Sequence, residues 1–237
     1  MQQAQKLLVF GASGAIGRAV VDAAVARTWD VTAVARALPP IAIPGVKSLA
    51  VDPLSKSFSA AELVSEAPYT SVCWAQGANT NDSIYDLNMD THLSIYRANC
   101  VYILVTLQAL LRYNLLHKSS RMCIISSIWQ NLARQSKLSY CMSKAALQGL
   151  VLSASADLAA DGHLINAVLP GALETPMTRQ NLTADQIDRL TASTTFGRLP
   201  ALTDVTSLVC YLCSQENTGI TGQFIAADLG FSHVRIV

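Results

Sequence analysis

The feature that most narrows what this chain can fold into is a short apolar run, Lys6 to Phe10, that gives way to GASGAIG and then to a helical periodicity from Arg18 to Arg27. A strand so short and so apolar needs cover on both faces, as strands of parallel sheets have. A second strand, Val31 to Ala35, follows at once and completes a βαβ unit, whose crossover is expected to be right-handed.

The unit then repeats. Strands are expected at Lys47 to Val51, Ser71 to Trp74, Met122 to Ser126, Leu164 to Leu169 and Phe224 to Ala227. Helices are expected near Ala60 to Glu66, Thr91 to Leu116, Tyr140 to Ala160 and Thr203 to Cys213. This alternation predicts an α/β fold of Rossmann-like type, a doubly wound parallel sheet with helices on both faces. A length of 237 residues suits one domain spanning residues 1–237. The polar stretch from Leu173 to Pro200 interrupts the pattern and is expected to form a substrate lid.

The 17 basic and 16 acidic residues nearly cancel, which gives no electrostatic reason to expect nucleic acid or an anionic membrane as partner. The N-terminus lacks the basic and apolar regions of a secretion signal, so the expected location is cytoplasmic. The six cysteines sit mostly in apolar segments, where a reduced thiol acts as a small hydrophobe. Cys210 and Cys213 have CxxC spacing without a second pair, and the four histidines are scattered, so no metal site is expected.

Ligands of doubly wound sheets bind beyond the carboxyl ends of the strands. The turn at Gly11, Ser13, Gly14, Ala15, Ile16 and Gly17 lies there, with a helix N-terminus positioned to face a pyrophosphate. A glycine turn without a ligand would read the same way. After the second strand comes Arg36 where a carboxylate would greet a free 2′-hydroxyl, so NADP(H) is the preferred cofactor and NAD(H) the alternative. Asp52 either accepts from the adenine amino group or opens an Asp-Pro turn with Pro53. Tyr140 and Lys144 stand four residues apart on one helical face, Ser126-Ser127 directly follow a strand, and Asn99 lies in the preceding long helix.

Together these residues resemble the classical short-chain dehydrogenase/reductase family along nearly the whole chain. The glycine turn, Asn99, Ser127 and the Tyr140-x-x-x-Lys144 pair follow the family order, Pro170-Gly171 with Thr175 is similar to its PGxxxT stretch, and Thr221 to Gly230 is similar to its closing strand. Three departures stand out: Phe10 replaces the usual threonine, Trp74-Ala75-Gln76-Gly77 replaces NNAG, and the glycine spacing is GxxGxxG.

The resemblance implies hydride transfer between a nicotinamide and a carbonyl or secondary alcohol of a small-molecule substrate. Tyr140 is then the general acid/base, its phenol favoured as phenolate by Lys144 together with the positively charged nicotinamide of the oxidised complex, while Ser127 holds the substrate oxygen. It also implies that Lys144 holds the nicotinamide ribose, that Asn99 positions a water, and that Gly77, Pro170, Gly171 and Thr175 meet the cofactor. Trp129, Gln130, Asn131 and Arg134 follow Ser127 and are expected to border the substrate, their polarity pointing to a hydroxylated or anionic compound. Apolar residues on more than one stripe, Ile103, Leu104, Leu107, Leu110 and Leu111, predict a homodimer or homotetramer. Two other readings stay open: an NADP(H)-binding sensor or scaffold, and an enzyme that modifies a nucleotide sugar.

Overall fold

The computed structural model describes residues 4–36, 43–175, 178–179 and 182–234. Seven parallel strands lie in the order β3-β2-β1-β4-β5-β6-β7. They are β1 (Lys6–Phe10), β2 (Asp30–Ala35), β3 (Lys47–Ala50), β4 (Tyr69–Trp74), β5 (Leu116–Ile125), β6 (Leu164–Pro170) and β7 (Phe224–Ala227). The strand order reverses between β1 and β4, which opens a crevice at their carboxyl ends.

Alternation along β1 divides the core. Leu8 and Phe10 join Trp74, Ile103, Leu110, Leu147 and Val151 on one face, and Leu7 and Val9 join Val20, Val21, Val209 and Leu212 on the other. Helices α3 (Tyr102–Arg112) and α4 (Leu138–Asp157) cover the first face, with α2 (Met89–Tyr96) packed against α4, and α1 (Ala15–Val25) and α6 (Leu202–Cys213) cover the second. In α1 the buried positions are Gly17, Val20, Val21 and Ala24, the spacing of one helical face. The single-domain, doubly wound architecture is therefore the expected one.

Three boundaries differ from expectation. The helix expected from Thr91 to Leu116 is broken by a π-turn at Arg97–Val101 and ends at Arg112, where Asn114 takes a left-handed conformation (φ 53°) and turns the chain into β5. Strand β5 consequently begins at Leu116 rather than Met122. The segment Ala60–Glu66 is a 3₁₀ helix, opened by a reciprocal cap between Ser59 and Glu62. The helical run from Met89 to Arg112 is long and apolar enough to cross a membrane, yet half of its apolar window is buried inside the fold, where Thr106 accepts a 2.8 Å hydrogen bond from Trp74. The 173–200 stretch carries α5 (Ala184–Ala192), capped by Thr183 and Gln186; part of that stretch lies outside the described residues.

Candidate active site

At the crevice, the turn after β1 is shaped by backbone crowding. Gly11 has φ +74°, and a Cβ there would stand 2.4 Å from the Gln76 amide nitrogen. A Cβ on Gly17 would stand 2.2 Å from the Gly11 carbonyl oxygen, so only glycine lets α1 pack this close to the turn. Helix α1 starts without a side-chain cap and without an acid in its first turn. Its leading amides are left to an anion from outside, which the helix dipole also favours.

A cleft of about 260 Å³ begins at this turn and is lined by Gly11, Ser13, Gly14, Arg36, Gln76 and Gly77 among others. Arg36 is exposed, and it has no hydrogen-bond or ion-pair partner among the described residues. Both ends of the buried Gln76 amide lack a hydrogen-bond partner, an arrangement that costs free energy unless a ligand completes it. The glycine cradle, the open helix end and the orphaned amide all fit a dinucleotide. Asp52 is exposed and its carboxylate accepts from the Leu54 amide at 3.1 Å, so the Asp-Pro turn is formed. Ala15 and Ile16 begin α1.

The departures from the family pattern turn out to compensate one another. The Phe10 ring stacks on Trp74 (centroids 5.9 Å apart, 11° between planes) and meets Tyr102 edge-on at 5.8 Å. Where an asparagine would have bonded to the sheet, the Trp74 indole instead donates to Thr106. The two large residues fill one space between β1, β4 and α3.

The candidate reacting residues gather at the ends of β4 and β5. Ser127 is buried in extended backbone just after β5 and caps a short 3₁₀ turn, its hydroxyl accepting from the Trp129 amide at 3.3 Å. Tyr140, in the first turn of α4, reaches the Ser127 hydroxyl. One turn on, the buried Lys144 ammonium lies 5.7 Å from the Tyr140 ring centroid and donates to the Ile125 carbonyl at 3.0 Å. The π-turn carries Asn99 inward: its Oδ1 accepts from the Ala78 amide (2.7 Å), and its Nδ2 donates to the Ala78 carbonyl (3.0 Å) and to Ser143 Oγ (2.8 Å). Gly77 lies beside this group, where a Cβ would approach Asn99 Oδ1 at 3.3 Å and Lys144 Nζ at 3.7 Å.

Burial raises the Tyr140 pKa above the ordinary phenol value, and the Ser127 hydrogen bond only partly offsets it. Without the cofactor the Lys144 ammonium is directed at a carbonyl and desolvation of the phenol dominates; the expected preference for the phenolate concerns the oxidised complex, where the nicotinamide charge adds to that of Lys144. Burial lowers the Lys144 pKa from 10.5 to about 8.

On the far side, Pro170 ends β6, the Gly171 amide donates to Ala227, and the Thr175 hydroxyl accepts from the Thr178 amide at 3.2 Å. Gln130 does not face a substrate: it is buried and accepts from Ser126 at 2.8 Å. Asn131 is exposed and Arg134 half-buried.

Sequence reasoning missed a brace on α4. The buried Asp82 accepts from the Ser139 amide at 3.0 Å and from the Ser139 hydroxyl, which also meets His92 Nδ1 at 2.8 Å. Asp82 satisfies a free amide at the start of the helix that carries Tyr140, much as a local cap would. Its distance in sequence from Ser139 hid it; the only local sign was an acid shortly after a strand.

A family model described as enoyl-(acyl carrier protein) reductase matches residues 68–232. The 3-oxoacyl-[acyl-carrier-protein] reductase FabG of Salmonella typhimurium is 26% identical over 238 aligned positions, covering 94% of this chain and 95% of that protein. Among solved structures, ElxO with NADP bound superposes with a TM-score of 0.82 at 17% identity, covering 97% of this chain and 99% of the other. A short-chain dehydrogenase from Leptospira borgpetersenii with bound NAD+ gives 0.82 at 18% identity, covering 97% and 93%.

Proposed function

The chain belongs to the short-chain dehydrogenase/reductase family of oxidoreductases that act on alcohol and carbonyl groups with a nicotinamide cofactor, and from that premise we propose an NADP(H)-dependent reductase of a small carbonyl compound with Tyr140 as proton donor. The observation that carries the reading is the convergence of Ser127, Tyr140 and Lys144 at the strand ends beside Gly77.

The glycine turn and the open end of α1 would hold the pyrophosphate, and Arg36 would meet a 2′-phosphate, as a planar guanidinium does well. When bound, the nicotinamide supplies the hydride. Ser127 holds the carbonyl oxygen in line with the phenol. Tyr140, kept protonated by burial, gives its proton to that oxygen as negative charge develops on it. Lys144 would stabilise the phenolate left behind, Asn99 would shape the route by which the proton is restored, and Thr175 and Gly171 would border the nicotinamide. Segment 173–200 acts as the lid, since its Leu190 and Thr194 already face Trp129 and Gly171.

The protein is further proposed to self-associate. Ile103, Leu107 and Leu110 are used by the core, but Leu104 and Leu152 remain about half exposed near an apolar cleft between α3 and α4. Light scattering should report a dimer or tetramer.

NADPH oxidation across a panel of carbonyl compounds tests the activity. Tyr140→Phe should abolish turnover with cofactor affinity nearly intact, and Arg36→Ala should weaken NADPH much more than NADH. Normal turnover in the first variant removes Tyr140 from the reaction; equal losses in the second remove the 2′-phosphate assignment.

A further inference from the structure

The substrate side of the site carries charge that carbonyl reduction does not require. Beyond Trp129 a cleft of about 780 Å³ opens between the segment after β4 and the segment after β6, with Asn79, Arg134, Lys137, Thr178 and Gln186 in its walls. Its lining holds two cations and no carboxylate, in a chain whose charges otherwise nearly cancel.

Acids on the segments that border it are engaged by other groups; Asp185, beside Gln186, pairs with Arg189 at 2.8 Å. Asp82 gives both carboxylate oxygens to Ser139, and Glu174 pairs with Arg179 at 2.7 Å. Arg134 is half-buried and finds no hydrogen-bond or ion-pair partner among the described residues. Lys137 donates only to neutral acceptors, Asn79 Oδ1 at 2.9 Å and the Thr80 carbonyl at 3.1 Å. Burial and the charge of Arg134 hold the Lys137 pKa below its ordinary value, against opposing pulls from Asp82 and Cys141. Arg134 and Lys137 line one cleft and repel each other, Asp82 offsets only part of that repulsion at Lys137, and an anion entering the cleft would relieve the rest. Such an anion would also be partly desolvated by Trp129, which strengthens the attraction.

We propose that this cleft is an oxyanion subsite, so that the substrate is a carbonyl compound carrying a phosphate or carboxylate that docks between Arg134 and Lys137 while its carbonyl lies at Ser127 and Tyr140. The inference rests on the carbonyl-reductase reading for the reacting end of the substrate. It places the recognition energy away from the reacting atoms, where a fixed anion can orient the carbonyl.

Matched pairs of substrates test it on the full chain with saturating NADPH. Acetoacetyl-4′-phosphopantetheine against acetoacetyl-pantetheine, and dihydroxyacetone phosphate against dihydroxyacetone, separate a carrier-type phosphate from a sugar-type one. The anionic member of one pair should have kcat/KM at least tenfold higher at low salt. That ratio should shrink as salt rises and fall tenfold or more in Arg134→Gln, with partial retention in Arg134→Lys. No anionic preference in either pair, or a preference that Arg134→Gln leaves intact, overturns the subsite and leaves the reductase reading standing. Calorimetric titration of 4′-phosphopantetheine and dihydroxyacetone phosphate into the NADPH-loaded protein separates the two failures. Binding that is lost in Arg134→Gln, with no turnover of any carbonyl, supports the subsite and refutes the reductase. Absence of binding by either compound overturns the subsite.

Discussion

Replacing Lys144 by methionine should make the cofactor-free protein more stable while removing its activity. The folded pKa of about 8 stands against an ordinary value of 10.5, and at about 1.4 kcal/mol per unit the protonated lysine costs the fold about 3 kcal/mol at neutral pH. Methionine keeps most of the aliphatic volume but gives up the ammonium's hydrogen bond to the Ile125 carbonyl, a charged-donor bond whose loss costs about 2 kcal/mol. The net gain is then about 1 kcal/mol, or about 2–4 °C in Tm for a domain of this size. The pH dependence has a definite sign. Because the folded pKa is depressed, the unfolded chain holds a proton that the folded chain lacks between about pH 8 and 10.5. The cost is therefore fully present below pH 8 and disappears as pH rises through that window, so the advantage of Lys144→Met should be largest at pH 7 and shrink by pH 9.5. Urea unfolding of both proteins at the two pH values measures it. A variant less stable than the parent at pH 7, or an offset independent of pH, refutes the argument that burial of this ammonium is what the fold bears for the sake of its site.

Three other perturbations follow from the geometry. Gly17→Ala puts a methyl 2.2 Å from the Gly11 carbonyl oxygen and should cost about 1–3 kcal/mol in thermal unfolding, together with most NADPH affinity; retained affinity would show that the turn does not hold the cofactor. Asp82→Ala strips Ser139 of its two bonds at the start of α4 and should cost about 2 kcal/mol, lowering kcat more than the NADPH KM, with Asp82→Asn restoring part; equal effects on both constants would limit Asp82 to stability. In a double-mutant cycle, Phe10→Thr and Trp74→Asn should show a coupling of at least about 0.5 kcal/mol, and strict additivity would deny that the two residues compensate each other.

The alternation of strands and helices was legible because each element of a doubly wound sheet writes its burial locally. The strand Lys6–Phe10 is apolar and buried from Leu7 on, and Gly17, Val20, Val21 and Ala24 repeat at helical spacing. The candidate reacting residues were legible for a related reason, since Ser127 directly follows a strand and Tyr140 and Lys144 share a helical face. The π-turn at Arg97–Val101 was not, because nothing in the periodicity of an apolar helix marks where one extra residue is inserted. What fixes it is tertiary: Asn99 must reach both the Ala78 backbone and Ser143 on α4, a bond set that an unbroken helix would rotate out of reach. The direction of the Lys144 ammonium was hidden for the same kind of reason, as it depends on a strand carbonyl that the sequence does not locate.

Several of the places where this chain departs from simple sequence rules gather at one edge of the sheet. The uncapped amides at the start of α1, the orphaned Gln76 amide, the depressed Lys144 and the unpaired Arg134 all lie at the carboxyl ends of the strands or on the segments that follow them. Each is locally unfavourable, and each becomes favourable if a particular group arrives: a pyrophosphate at the glycine turn, a hydrogen-bonding ligand at Gln76, a phenolate at Lys144, an oxyanion at Arg134. The Phe10–Trp74 substitution differs in kind, because its two halves satisfy each other inside the core and ask nothing of a ligand. A fold under no demand to bind would have relaxed the first group and could have kept the second. That asymmetry argues that the strained edge is maintained by function, and it makes a single testable demand: cofactor and anionic substrate together should raise Tm by more than the same additions do in a protein carrying Lys144→Met and Arg134→Gln.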